Sequence, residues 1–495
     1  MSIPSRSWRA RSPYFLIGGL AVLFGAALTR SATGTEPASP PPLAPPPITV
    51  LTSKPGVDPG LIFVAPKQTP PSATQQGPEI IDNQGRPVWF QAVGANQQAA
   101  NFRVQQYRGE SVVSWWQGIT VPNSPGEGQG VNYVYDHAYH QIAVVAAGNG
   151  YQADLHEFRI TPRGTAFLTI YNHIPYDLSS AGGPANGIVI DGVAQEVDVA
   201  TGKVVWEWHS IDHVPLSESQ VAAPTSATTP YDYFHINAIN WDDDGNVLID
   251  SRNAWTAYKI DRRTKEIIWR QGGKSSTFAL STGDNGTQTA WQHDPEFVDS
   301  HTLRFFDNEA APSVLPYSRV VWIRHSLHDK TSTLVKQIVH PDKIQAGSQG
   351  NAQALDRGHT FVGWGATGRF SEFDADGTLL FDATVPTTGG WDDYRAYRFV
   401  WHATPDTKPT ATAQKNADGS VTVHAIWNGA TDVARWIVVA GKHPSSLWPV
   451  GSADWNGLDT AITLTSGASE FQVLAQARDG RVLARSATVA VSSGS

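Results

Sequence analysis

The chain has no cysteine among its 495 residues. That excludes disulfides, iron–sulfur clusters and thiolate chemistry. A single methionine leaves little else to oxidise. Positive charge is scarce too: 36 Lys and Arg stand against 45 Asp and Glu, for a net charge of −9. No basic stripe is present, so a nucleic-acid partner is not expected. No apolar run reaches the roughly 20 residues of a membrane span. The run Tyr14–Leu28 is shorter, and Arg6, Arg9 and Arg11 precede it. A basic segment, an apolar segment and small residues near Gly25 have the layout of a secretory signal. Residues 1–32 are therefore read as a signal peptide or signal anchor, and the protein as exported, secreted or held at the cell envelope. A membrane is a partner only if that segment stays uncleaved. Residues 33–58 contain SPPPLAPPP, a polyproline tether that enters no core.

What the chain has in quantity is glycine (44), proline (33) and tryptophan (18). A turn-rich, aromatic-rich composition suits repeated β architecture. The repeats become visible once the turns are aligned. LHEFRITPRGTAFL (155–168), FHINAINWDDDGNVLI (234–249) and QHDPEFVDSHTLRFF (292–306) each run His, short apolar stretch, turn, apolar strand. GNAQALDRGHTFVGW (350–364) repeats the layout without the opening His. The second halves also match: AQEVDVATGKVVWEW (194–208), TAYKIDRRTKEIIWR (256–270) and FSEFDADGTLLFD (370–382) are strand, charged tight turn, strand. Earlier units fall at 61–90 and 104–147.

Four short antiparallel strands per unit, repeated six times, predict an all-β chain. Residues 59–404 are read as a six-bladed β-propeller, closed where the first unit, Pro59–Phe90, shares its sheet with the last repeat. Beyond a polar linker, residues 410–495 alternate with period two. They are read as a small C-terminal β-sandwich of the immunoglobulin or fibronectin III kind. WDDDGN (241–246) superficially resembles a calcium loop but lacks the terminal Glu, and a hairpin turn accounts for it.

In a propeller, equivalent starts of the innermost strands converge on the axis. His156, His235 and His293 hold such positions, and Arg252 follows one hairpin after His235. Neutral imidazole is a nucleophile near neutral pH, and a guanidinium grips the oxygens of a tetrahedral oxyanion. Three histidines could also hold zinc. Arg252 beside the ion, and the lack of a carboxylate at an equivalent position other than Glu157 and Asp294, argue against a metal. No cofactor is expected.

LHEF (155–158), DVATGKVVWEW (198–208), FHIN (234–237), SRN (251–253), IIWRQGGK (267–274), QHD (292–294), FDN (306–308), FVGWG (361–365) and SEFD (371–374) together resemble the arylsulfotransferase family. The likeness is to its 3′-phosphoadenylylsulfate-independent aryl sulfate sulfotransferases, in their actinobacterial and fungal branch. It implies a six-bladed propeller and ping-pong transfer of a sulfuryl group through a sulfohistidine. The partners it implies are a small aryl sulfate donor and a phenolic acceptor. By motif, His293 is the nucleophile and His156 the acid/base partner. Arg252 and a protonated His235 hold the sulfuryl oxygens and the departing phenolate. Asn237, Gln292 and Asn308 carry amides near the site and are candidates to fix the His293 tautomer. Trp364, Trp255 and Tyr133 are candidates to stack on the aryl ring. Two other readings stay open: a quinoprotein-type propeller enzyme, suggested by the xDxxTGxxxW repeats, and a catalytically silent secreted propeller that binds or scaffolds.

Overall fold

The computed structural model describes residues 42–68 and 74–493. The signal expected at 1–32, and the tether up to residue 41, lie outside the described residues. Nearly every described element is a strand. Among the described residues between Leu61 and Phe399, the strands form six antiparallel sheets of four, one of which gains a short parallel edge at Pro230–Tyr231, and a separate two-stranded sheet, Lys67–Gln68 with Trp391–Asp392.

Each unit marked by the repeats carries one sheet. The fourth is typical, with strands Ile236–Trp241, Val247–Ser251, Thr256–Ile260 and Ile267–Gly272 paired in chain order. Val247–Ser251 is buried on both faces, which is why VLIDS reads as a continuous run rather than an alternation. The turns follow from local chemistry. Asp242 accepts from the Asn246 N–H (2.8 Å), and Gly245 takes the positive φ, so WDDDGN is a hairpin turn. The charged turns of the second halves work likewise: Asp198 accepts from the Thr201 N–H, and Asp261 from the Thr264 N–H. The tryptophans ending the fourth strand then tie one sheet to the next. Trp206 and Trp208 donate to the carbonyls of Arg262 and Lys265 in the following sheet.

Neighbouring sheets touch in a closed cycle. The strand Leu61–Val64 contacts Gln98–Tyr107, which contacts Phe158–Ile160; Thr165–Tyr176 contacts Ile236–Trp241, which contacts His293–Asp299, which contacts Asn351–Ala354. Thr360–Gly363 then contacts Tyr397–Phe399. Two sutures join the ends of this region. Tyr397–Phe399 pairs with Leu61–Val64, and Thr49–Ser53 pairs as an extra edge on Leu379–Thr384. The first sheet thus takes its innermost strand from beyond the last repeat, rather than sharing that repeat's own sheet.

Charge fills the middle of the cycle. Arg395 meets Glu157 (3.0 Å) and Asp294 (3.5 Å), and Arg103 also pairs with Glu157. Arg159 and Arg304 pair with Glu296. Burial alone would raise the Glu157 carboxyl, but Arg395, Arg103 and Arg159 hold it down at about 2.

Residues 410–493 form two more sheets, antiparallel except where Ser492–Ser493 runs parallel to Thr410–Lys415, around a shared core that includes Val423, Trp436, Val438, Phe471 and Val473. Thr410–Lys415 alternates between exposed and buried positions, as a strand with one wet face does. These sheets dock on the outer edge of the first sheet. Asn428 brackets Phe90, accepting from its N–H and donating to its carbonyl, both at 2.9 Å.

Candidate functional site

The hairpin geometry of the fourth sheet turns sequence distance into contact. His235 immediately precedes Ile236–Trp241, and Arg252 immediately follows the paired strand Val247–Ser251. The Arg252 N–H donates to the His235 carbonyl (3.1 Å) and the Asn253 N–H to that of Phe234 (3.2 Å). His235 has φ +54°, in the left-handed region that a branchless glycine usually fills. Trp291 (φ +59°) and Asp294 (φ +52°) share that conformation on either side of His293. Such backbone clusters at functional sites, where the surrounding fold must hold it.

His156, His235, His293 and Arg252 all line one cavity of about 990 Å³. The rings of His156 and His235 meet edge to face, with centroids 5.0 Å apart. Tyr171 stacks on His156 (5.3 Å), and Tyr394 approaches it edge-on (5.5 Å). The Arg252 guanidinium lies 4.7 Å from the centroid of the Trp291 ring. Its Nη1 donates to the Asn253 side chain (2.9 Å) and its Nη2 to the Gly347 carbonyl (3.3 Å). Among the described residues no carboxylate pairs with it, so its charge is available to a ligand.

The three imidazoles are held differently. His156 Nδ1 donates to Asp154 (2.5 Å), and His235 Nδ1 donates to Asp232 (2.5 Å). The Asp154 carboxylate is itself fixed by the N–H groups of Gly128 (2.6 Å) and His156 (2.9 Å). His293 has a neutral partner instead: Nδ1 donates to Asn308 Oδ1 (2.7 Å), with the Trp291 carbonyl at 3.1 Å. The amide orientation of Asn308 follows from its other end, which donates to the carbonyls of Ala346 (3.1 Å) and Gln349 (2.9 Å). On the far side of the His293 ring, Nε2 accepts from the Gln349 N–H (3.2 Å). His293 therefore carries its proton on Nδ1 and its lone pair on Nε2.

Electrostatics point the same way. Burial first, then the Arg252 charge, pushes the His293 pKa well below its usual 6.5. Burial also lowers His235, against the pull of Asp232. Burial thus weighs against a protonated His235, whose Nδ1–H is committed to Asp232.

The expected binding residues divide. Asn308 stands where it can fix the His293 tautomer. Gln292 and Asn237 do not line the cavity. Gln292 donates to Asp250 (2.8 Å) and to the Ser251 carbonyl (3.1 Å), while Asn237 donates to the Gln292 carbonyl (2.7 Å). They clasp the fourth and fifth sheets together behind the histidines. Trp364 is fully buried, donates to Ser371 (2.9 Å) and packs on Phe306 and His340, so it does not reach the cavity. Trp255 packs on Trp291 and Tyr133 on Trp115. The aromatic side chains that do line the cavity are Tyr231, Trp291 and Tyr394. Asp154, Asp232 and Gln349 were not anticipated either. For the two acids the signal was an Asp two or three residues before each repeat histidine, in DLH and DYFH.

Among the described residues, His340, Asp342 and Asp382 are a group near enough to one another to hold a metal ion. Arg369 already pairs with both of those carboxylates. They lie outside the cavity.

Residues 103–385, more than half of the chain, match the family model described as arylsulfotransferase (ASST). No curated protein matches the chain in sequence. Solved structures are similar only at a distance. A protein of unknown function from Bacteroides caccae is 12% identical, with 69% of this chain and 99% of that one covered and a TM-score of 0.41. A protein from Lactobacillus plantarum is 10% identical, covering 82% and 100% at a TM-score of 0.32. Virginiamycin B lyase from Staphylococcus aureus is 9% identical, covering 66% and 81% at 0.25. On the extent of the family match, the chain belongs to the arylsulfotransferase (ASST) family.

Proposed function

We propose that the protein moves a sulfuryl group from a phenolic sulfate ester to a phenolic acceptor, without a nucleotide donor, through a covalent sulfohistidine at His293. We read its frame as a six-bladed β-propeller with the reacting groups at one mouth, a β-sandwich docked on the rim, and the whole as an exported protein. The observation that carries the reading is the tautomer of His293. An imidazole kept neutral by burial and Arg252, with Nδ1–H held by a fixed amide, offers its Nε2 pair as a nucleophile at neutral pH.

In the first half-reaction the Nε2 pair attacks sulfur. The sulfur–oxygen bond of the ester breaks, and its electrons leave on the phenolate oxygen. Arg252 is the unpaired cation beside the developing charge, and transfer through a loose, oxygen-rich transition state gains most from such donors. The Gln349 N–H, 3.2 Å from Nε2, is close enough to pass from the lone pair to a sulfuryl oxygen as the nitrogen–sulfur bond forms. The departing phenolate takes a proton from water.

In the second half-reaction the acceptor oxygen attacks sulfur. The nitrogen–sulfur bond breaks and its pair returns to Nε2. The acceptor's proton passes to Nε2 of His156, whose Nδ1–H is anchored on Asp154, and from there to water. His235, anchored the same way on Asp232, is the adjacent proton acceptor. One proton is taken up and one released, so the cycle balances. Both half-reactions exchange a phenol, which is why no nucleotide energy is needed.

The test is purified protein with p-nitrophenyl sulfate, with and without phenol, following p-nitrophenolate. A burst without phenol and steady release with it are expected, and His293→Ala is expected to lack both. A folded protein that releases nothing from any aryl sulfate would favour a binding platform instead.

A further inference from the structure

The cavity is too large for the chemistry alone. Its volume of about 990 Å³ stands at the top of the roughly 300–1,000 Å³ typical of sites for drug-sized ligands. A single phenol ring would leave most of it to water. Besides the histidines, its walls include Val121, Pro122, Val221, Pro224 and Tyr231, which offer apolar surface to a larger ligand.

One strand gives a ruler for that space. Thr165–Tyr176 pairs without a bulge with Gly187–Asp198 along its whole length. Tyr171, on this strand, touches both His156 and His235. His173 lies two residues on, hence on the same face, roughly 7 Å further along the strand. That step leaves room for one added ring and a polar group beyond it.

His173 also lines the cavity, and its Nε2 meets Glu127 Oε2 at 2.8 Å. Glu127 is almost wholly buried, while the His173 side chain is 38% exposed. Among the described residues no group accepts from His173 Nδ1. The Glu127 carboxylate fixes the ring by one nitrogen, and its hydrogen bond raises the His173 pKa above the usual 6.5, so that in the protonated ring Nδ1–H is an open donor.

We infer that the acceptor is an extended phenol of at least two rings whose distal end carries an oxygen acceptor, a carboxylate or hydroxyl, received by His173 Nδ1. The inference rests on the cavity being the acceptor's site, as proposed above. Apolar walls grip the second ring, and the His173–Glu127 pair reads the group beyond it. Neither residue touches the reacting atoms, so they determine specificity.

The experiment compares three acceptors with p-nitrophenyl sulfate as donor: phenol, 4-phenylphenol and 4′-hydroxybiphenyl-4-carboxylate. The expected order of kcat/KM rises from phenol to 4-phenylphenol by about tenfold or more, from burial of the second ring. It rises again by about tenfold for the carboxylate, from a charge-assisted hydrogen bond. His173→Ala should remove the second step and keep the first, and His173→Gln, which retains a donor, should restore part of it. Acceptors equal within about threefold, or a carboxylate advantage that survives His173→Ala, would overturn the inference while leaving sulfuryl transfer intact. If no acceptor turns over, the proposed function fails. Calorimetric binding of the two biphenyl compounds to the wild type and His173→Ala then decides the inference by the same ranking.

Discussion

Asn308→Ala probes the tautomer argument most finely. The substitution deletes the 2.7 Å acceptor of His293 Nδ1–H and both donors that satisfy the Ala346 and Gln349 carbonyls. These groups are buried or nearly so, and leaving two or three of them short should lower stability by about 2–4 kcal/mol. The catalytic effect is separate. When Nε2 takes the sulfuryl group, positive charge develops on the ring, and the bond from Nδ1–H to Asn308 becomes charge-assisted. Such a bond is worth about 1.5–3 kcal/mol, so covalent capture should slow about 10- to 100-fold. The Trp291 carbonyl, 3.1 Å away, remains as a second acceptor and keeps the loss toward the lower figure. The pH dependence has a definite sign. Burial and Arg252 lower the His293 pKa, and the Asn308 bond opposes them. Removing it can move the acid limb only downward. The assay is single-turnover release of p-nitrophenolate across pH, with urea unfolding alongside. Unchanged capture in a destabilised protein would mean that Asn308 merely pins the loop, and an acid limb moved upward would contradict the electrostatics.

Other expectations follow from single contacts. Arg252→Ala should slow capture by about 10²–10³-fold, as loss of one oxyanion donor does, and Arg252→Lys should recover only part, read by stopped-flow release. In the wild type, activity should persist as pH falls through 6.5 and fail only below it. The protonated, unproductive form of His293 appears only at its depressed pKa, so a limb at or above 6.5 in kcat/KM would refute this. Glu157→Gln should cost about 3–5 kcal/mol, because Arg103 is left buried without its counter-charge and Arg395 keeps only the more distant Asp294. The stability that Glu157 contributes is full above its unfolded value of about 4.5 and is lost as pH falls through about 2, so the wild type and the variant should converge in urea melts at strongly acid pH.

The sheets were legible because their determinants are local. An Asp accepting from an N–H three or four residues later marks the turn, as at Asp261 and Asp242, and buried runs such as VLIDS mark the strands between. The trio of histidines and Arg252 was legible because repeats place equivalent residues at equivalent ends of sheets. What failed was inference from adjacency. Gln292 sits beside His293 in sequence, but its side chain donates to Asp250 and the Ser251 carbonyl and so points into the sheet junction. Trp364 belongs to the same repeat layout, yet its position packs between strands rather than at the mouth. Tyr394 and Gln349 went unseen for another reason: they come from connections outside the repeats, and closure of the cycle, which no local pattern encodes, brings them to the histidines. The burial that weighs against a charged His235 was hidden for the same reason, since it depends on that closure.

The most direct measurement is intact mass of the protein after exposure to p-nitrophenyl sulfate without acceptor, followed by peptide mapping under conditions that preserve nitrogen–sulfur bonds. The account predicts one added SO₃ on His293, discharged by phenol and absent in His293→Ala. Phenol-dependent turnover with no added mass, or with the group on another residue, would contradict it.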